Sequence, residues 1–253
     1  MRMKDKVAII TGGGSGIGQA TALLFAEEGA RVTVADIDPV GGEKTVAAIS
    51  GKKGKALFVE ADISKEESAK NITEKTLRAF GRLDILVNNA ATFVHKGFDA
   101  TMEDWQLSLS VNIIGTAMVT KYAAKAMEKS GGGAIVNLSS ISAWVAQPNF
   151  FAYSATKGAL LQMTRNMAMD LAPAKIRVNC VCPGAILTPA SYRHMEKFGM
   201  TFEEFNAEEG AKTFLKRVGK AREVACAILF MASDDATYIT GTHLMVDGGY
   251  TAM

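Results

Sequence analysis

Little in this 253-residue chain could build a covalent or metal-bound framework. Three cysteines, Cys180, Cys182 and Cys226, are too few and too oddly numbered for a disulfide scaffold. Cys180 and Cys182, on one face of the run Ile176–Cys182, read as small buried hydrophobes. Three histidines, His95, His194 and His243, stand apart, and no metal-ligand spacing joins them to acids or thiols, so no metal is expected. An excess of one charge is missing too. Lysine and arginine number 28 against 26 acids, a net +2, with no basic run or interleaved aromatics, which removes nucleic acid from the expected partners. No apolar run approaches ~18 residues, so no membrane partner is expected either. Met1-Arg-Met-Lys-Asp-Lys6 leads straight into an apolar strand and leaves no room for a signal peptide. The expected location is cytoplasmic.

What is present is a 48% hydrophobic chain long enough for one large core, with no low-complexity linker. Short apolar, β-branched runs near 7–11, 32–36, 56–60, 83–88, 134–139, 176–182 and 243–247 alternate with helical patterns. That alternation predicts an α/β fold: one domain over 1–253, with a doubly wound, parallel, seven-stranded sheet and helices on both faces. Ligands of such sheets bind beyond the carboxyl ends of the strands.

The first strand runs into Thr11-Gly-Gly-Gly-Ser-Gly-Ile-Gly18, and Gln19 to Glu28 follow with helical spacing. A lone glycine cluster says little, but strand, glycine turn and helix together form a phosphate cradle. Gly12 permits the tight turn, Gly16 lets a pyrophosphate approach the backbone, and Gly18 lets helix pack on strand. The second strand ends in Asp36, where dinucleotide folds hold the adenosine ribose. A carboxylate there accepts from a 2′-hydroxyl and repels a 2′-phosphate, and neither Ser15 nor Ile37 supplies a cation for that phosphate. NAD is expected over NADP. The alternative role for Asp36 is to cap the next helix with Pro39, and the two are compatible.

Ala134-Ile-Val-Asn-Leu138 reads as a buried strand ending in Ser139-Ser140. Beyond it lies Tyr153-Ser-Ala-Thr-Lys157, and a helix over 152–170 puts the phenol and the ammonium on one face. A fixed cation beside a phenol favours the phenolate and lowers its pKa, which would make Tyr153 a proton-transfer group with Ser140 beside it to hold a carbonyl or alkoxide.

Taken together, Thr11-Gly-x3-Gly-x-Gly18, Asp62, Asn88-Asn-Ala-Ala91, Asn112, Ser140, Tyr153, Lys157 and Pro183-Gly184 resemble the short-chain dehydrogenase/reductase family over nearly the whole chain. The resemblance implies a single Rossmann-type domain and hydride transfer between a secondary alcohol or ketone and nicotinamide. It implies a catalytic set of Asn112, Ser140, Tyr153 and Lys157, with Asn112 anchoring a water that links the lysine to solvent. Cofactor contacts are implied at Gly12, Ser15, Gly16, Ile17, Gly18, Asp36, Ile37, Asp62, Ile63, Asn89, Ala90, Tyr153, Lys157, Pro183, Gly184, Ile186 and Thr188. Asn88 would support the strand beneath the cofactor. A homotetramer is also implied. Ala91 departs from the glycine usual in the family.

Residues 187–217 break the strand and helix rhythm, mixing Met195, Phe198, Met200, Phe202 and Phe205 with charges, and read as a mobile lid. Substrate contacts are expected there and at Phe93, His95, Ser142, Trp144, Gln147 and Phe150, with Arg193 and His194 as candidates for a carboxylate. The substrate is expected to be a small hydroxy acid, a sugar or a cyclic alcohol. Two other readings share the fold: a cofactor-binding sensor or scaffold, and a dehydratase or epimerase that retains NAD.

Overall fold

A computed structural model describes residues 1–252. The sheet is built from seven parallel strands: β1 (Val7–Thr11), β2 (Arg31–Asp36), β3 (Lys55–Glu60), β4 (Ile85–Asn88), β5 (Gly133–Leu138), β6 (Ile176–Pro183) and β9 (His243–Val246). Their order across the sheet is β3-β2-β1-β4-β5-β6-β9. The direction of winding reverses between β1 and β4, and the crevice above that point is where a sheet of this kind takes its ligand.

β1 and β4 are buried throughout, whereas the edge strands β3 and β9 keep partly exposed residues. A strand covered on both faces has no polar side, which explains the unbroken apolar runs Val7-Ala-Ile-Ile10 and Ile85-Leu-Val87. Alternate residues serve opposite cores. Ala8, Ile10, Val34 and Val136 face helices α1 (Gly16–Glu27) and α9 (Ala221–Ala232); Val7, Ile9, Leu86 and Ile135 face α3 (Glu66–Phe80), α5 (Thr116–Lys129) and α6 (Phe151–Leu171). The remaining helices are α2 (Pro39–Gly51), α4 (Met102–Leu109), α7 (Pro189–Phe198) and α8 (Phe202–Ala211).

A polar seam crosses the second core. Asn88 Nδ2 donates to Thr120 Oγ1 and to Asn137 Oδ1, each at 2.9 Å, and Asn137 Nδ2 donates to Thr164 Oγ1 at 2.9 Å. Asn88 therefore ties β4 to α5 and β5. Because these groups are buried, Asn137→Ala strands a donor and is expected to cost about 1–3 kcal/mol. A urea midpoint equal to that of the wild type would show that the seam contributes nothing.

Three features differ from the sequence expectations. Helix α1 begins at Gly16 rather than Gln19, because the last glycines of the loop already form its first turn. Asp36 does not cap α2: Asp38 does, accepting from Val40 N at 3.0 Å, while the Asp36 carboxylate turns back to the glycine loop. Residues 187–217 fold into α7 and α8, flanked by a two-stranded sheet, β7 (Ile186–Leu187) against β8 (Gly219–Lys220), which the sequence did not reveal.

Candidate active site

The glycine loop is held by close backbone approach. Gly12 has φ +64°, and a methyl group there would lie 2.7 Å from Asn89 Nδ2. One at Gly18 would lie 2.0 Å from Gly12 O, so the α1 turn packs directly on the loop that precedes it. Asn89 Nδ2 holds the other side, donating to Thr11 O and Gly12 O at 2.9 and 3.0 Å. The Thr11 hydroxyl accepts from Asn89 N and Ala90 N, at 3.0 and 3.1 Å, bridging the β1 and β4 ends. Sequence reading used Thr11 only as the start of the loop. The start of α1 has no side-chain cap from Ser15 and no acid in its first turn, so its free N–H groups and positive dipole end suit a diphosphate.

Asp36 accepts from Gly14 N at 2.8 Å and Asp38 N at 3.0 Å, which fixes its carboxylate at the β2 end, with Ile37 exposed beside it. Asp62 accepts from Ser64 N and Oγ and pairs with Lys65; the Ser64 hydroxyl, chiefly, lowers its pKa. Ile63 is buried, its carbonyl facing Gly115, where a methyl group would approach to 2.6 Å. Across the crevice, Thr188 at the start of α7 lies over Gly16, about 3.5 Å from where a side chain would begin. Pro183 and Gly184 close β6, Gly184 N donates to Val246 O, and Ile186 follows in β7.

Ser140, Tyr153 and Lys157 come together at the end of β5. Tyr153 and Lys157 are 6% and 3% exposed, and the lysine Nζ lies 5.4 Å from the centre of the phenol ring. Ser140 Oγ accepts from Ser142 N and lies 3.0 Å from Ser142 Oγ, which in turn donates to Gln147 Oε1. The expected lowering of the phenol pKa is not found in the chain alone. Burial pushes the Tyr153 phenol up, and only the Ser140 hydroxyl pulls the other way. The lysine ammonium is turned to the backbone, donating to Leu138 O at 2.7 Å.

Burial lowers the Lys157 pKa from 10.5 to about 8, offset in part by the neighbouring Cys180 and Cys182 thiols. Between those values the unfolded lysine holds a proton that the native one has released. Stability of the free chain should therefore rise with pH from about 8 to 10.5, by roughly 3 kcal/mol in all. Lys157→Met removes that gain. Urea midpoints measured from pH 7 to 10.5 should converge on the wild type as pH rises if the variant is the more stable at neutrality; a difference independent of pH contradicts the assignment.

Asn112 is not in an ordinary helix turn. It occupies a π-helical turn, Ser110–Gly115, between α4 and α5, a distortion that tends to mark functional positions. Its Oδ1 accepts from Thr92 N at 2.8 Å, and its Nδ2 donates to Thr92 O and to Thr156 Oγ1 at 3.1 Å. Thr156 Oγ1 donates to Tyr153 O, so Asn112 links the segment after β4 to the helix carrying Tyr153. Neither threonine was singled out in the sequence.

An aromatic wall covers the phenol. Phe93 stacks on Tyr153 with centres 4.7 Å apart, Phe150 meets Tyr153 edge-on at 5.7 Å, and His95 lies against Phe150 at 4.6 Å. Trp144 packs on His243 instead, at 4.7 Å, which places it on the β9 side. Arg193 is exposed on α7. Burial first, and then the charges of His194 and Lys197 on α7, lower the His95 pKa.

This fold and this cluster define an oxidoreductase of the dinucleotide-binding type, and the comparisons agree. Residues 12–251 match the family model described as "Enoyl-(Acyl carrier protein) reductase". An uncharacterized oxidoreductase of Thermotoga maritima is 41% identical over the full length of both chains. Cyclopentanol dehydrogenase of Comamonas sp. is 38% identical, covering 99% of each. Among solved structures, a 7α-hydroxysteroid dehydrogenase complexed with NADH and 7-oxo-glycochenodeoxycholic acid superposes with a TM-score of 0.91 at 36% identity, over 98% of this chain and 95% of that one. The chain belongs to the short-chain dehydrogenase/reductase family. No described helix is long and apolar enough to cross a membrane.

Proposed function

We propose that the protein is an NAD-dependent dehydrogenase that interconverts a secondary alcohol and its ketone, with Tyr153 as the acid/base. The observation that carries this reading is the buried cluster at the end of β5, where Lys157 Nζ lies 5.4 Å from the Tyr153 ring and the Ser140 hydroxyl is the one group that draws the phenol pKa down. The glycine loop, the uncapped start of α1 and Asp36 suit NAD: diphosphate on the helix end and ribose hydroxyls on the carboxylate. Ile63, next to Asp62, suits the adenine end, and Ile186 and Thr188, just beyond Pro183-Gly184, suit the nicotinamide carboxamide.

Bound NAD supplies the hydride acceptor and a positive ring. The protein's own groups do the rest. Ser140 Oγ holds the substrate oxygen, and Tyr153 Oη removes its proton on oxidation and returns it on reduction. Lys157 leaves Leu138 O for the ribose hydroxyls and brings its charge toward the phenol, against the burial that otherwise keeps the phenol neutral. Oxidation should accordingly speed up as pH rises through the Tyr153 pKa of the loaded enzyme. Phe93, lying on the phenol, must give way to substrate or stack on it. Segment 187–217 serves as the lid, and an assembly of four subunits uses the exposed apolar residues Leu107, Leu109 and Ile114.

The test is appearance of NADH absorbance when the protein and NAD⁺ meet hydroxy acids, sugars, and cyclic and steroid alcohols at mildly alkaline pH. Turnover fixes the chemistry. Silence in a preparation shown to bind NADH would leave the sensor or scaffold reading as the better one.

A further inference from the structure

Ser140 is held by a short chain of groups that the reaction does not otherwise use. It caps the 3₁₀ turn Ile141–Ala143 just beyond β5, where its Oγ accepts from Ser142 N at 3.1 Å. The Ser142 hydroxyl comes round the same turn to 3.0 Å from Ser140 Oγ, and on its far side it donates to Gln147 Oε1. Ser140 and Ser142 are buried and Gln147 is partly buried, so water competes little for these bonds. Ser142 Oγ has no third partner among the described residues.

A hydroxyl carries one proton, and that fixes the sense of the chain. With the Gln147 oxygen turned to Ser142, the Ser142 proton goes to Gln147, so the 3.0 Å bond has to run from Ser140 to Ser142. The Ser140 proton then points away from substrate. A half-turn of the amide puts Nε2 in the place of Oε1 with almost no change of shape. Ser142 now accepts from Gln147 and gives its proton to Ser140, whose two acceptor sites are filled by Ser142 N–H and Ser142 O–H. All that remains to Ser140 is its own proton, aimed at the substrate oxygen. Aligned donors polarise one another, so the charge that develops on that oxygen meets a stronger dipole.

We propose that Gln147 and Ser142 are positioning residues that set the direction of the Ser140 proton, the amide nitrogen facing Ser142 when substrate is bound. They act through Ser140 and not on the substrate itself. This rests on the reading of Ser140 as the group that holds the substrate oxygen. An acceptor at position 147 is then worse than no group at all. A carboxylate there takes the Ser142 proton permanently, whereas a methyl group leaves that proton free to turn to Ser140.

The experiment compares Gln147→Glu, Gln147→Ala, Ser142→Ala and the double variant Ser142→Ala with Gln147→Glu. The readouts are kcat and KM at saturating NAD⁺ for the alcohol that the wild type turns over best. Gln147→Glu is expected to lower kcat by roughly ten- to a hundredfold, somewhat less than the loss of a whole oxyanion donor. Gln147→Ala is expected to lower it by only about two- to fivefold. In the Ser142→Ala background the glutamate is expected to cost about twofold or less, because its link to Ser140 is gone. A purely structural role for Gln147 gives the opposite order, with the near-isosteric glutamate milder than alanine. That order overturns the inference, and so does a glutamate cost that persists without Ser142, the mark of a charge acting through space. Where the wild type turns over no alcohol, the readout is the affinity of the NADH-loaded protein for cyclopentanone, followed by NADH fluorescence. An affinity that falls from wild type to Gln147→Ala to Gln147→Glu then leaves the relay standing while the dehydrogenase reading falls; equal affinities, or no binding, overturn the relay as well.

Discussion

Tyr153→Phe is expected to lower kcat by a factor of about 10²–10⁴, the usual worth of a positioned proton-transfer group, while NADH still binds. The geometry makes this a clean substitution. The ring stays in its stack with Phe93 and Phe150, Lys157 is left unchanged, and only the phenol oxygen is lost. A loss of stability would therefore be small and separable by a thermal melt. Retention of wild-type turnover would remove Tyr153 from the chemistry, and a parallel loss of NADH affinity would mean that the phenol holds cofactor rather than substrate. Ser140→Ala should follow in the same direction with a smaller effect, since Ser142 Oγ lies 3.0 Å away and can take part of its place.

Asp36→Ser is expected to weaken NADH by about tenfold to a hundredfold, the worth of hydrogen bonds to a charged acceptor, and to weaken NADPH much less. The expected result is a fall in the ratio of the two affinities, measured by fluorescence titration. Asp36 also receives Gly14 N–H and Asp38 N–H, so part of any loss comes from a loosened glycine loop. That part affects both cofactors equally, which is why the ratio is the quantity to read. A wild-type preference for NADPH would refute the role given to the carboxylate.

Much of this was legible in the chain. Val7-Ala-Ile-Ile10 and Ile85-Leu-Val87 announce strands covered on both faces, because only such strands omit polar residues. The loop Thr11–Gly18 and the pair Tyr153 and Lys157 are local patterns, and local patterns survive reading one residue at a time. What escaped depends on residues distant in sequence. Thr92 and Thr156 matter because Asn112 bonds both, and nothing local marks either. The π-helical turn at Ser110–Gly115 has no composition signal. The effect of burial on Tyr153 was missed for a similar reason: a neighbouring cation is visible in a sequence and a low-polarity enclosure is not.

The small core under the lid has a consequence for how the molecule breathes. Met195, Phe205 and Val218 form a small cluster separate from the two large cores, and the segment that carries it is tied down by the ladder of β7 and β8, by Phe214 N and Leu215 N on Gly248 O, and by the Arg217–Glu223 pair. A unit with so small a core of its own can open locally at a free energy below that of global unfolding. Amide protons of α7 and α8 are then the first to exchange with solvent. Product escape and substrate entry can thus proceed through a local opening that leaves the glycine loop and the Ser140, Tyr153 and Lys157 cluster in register.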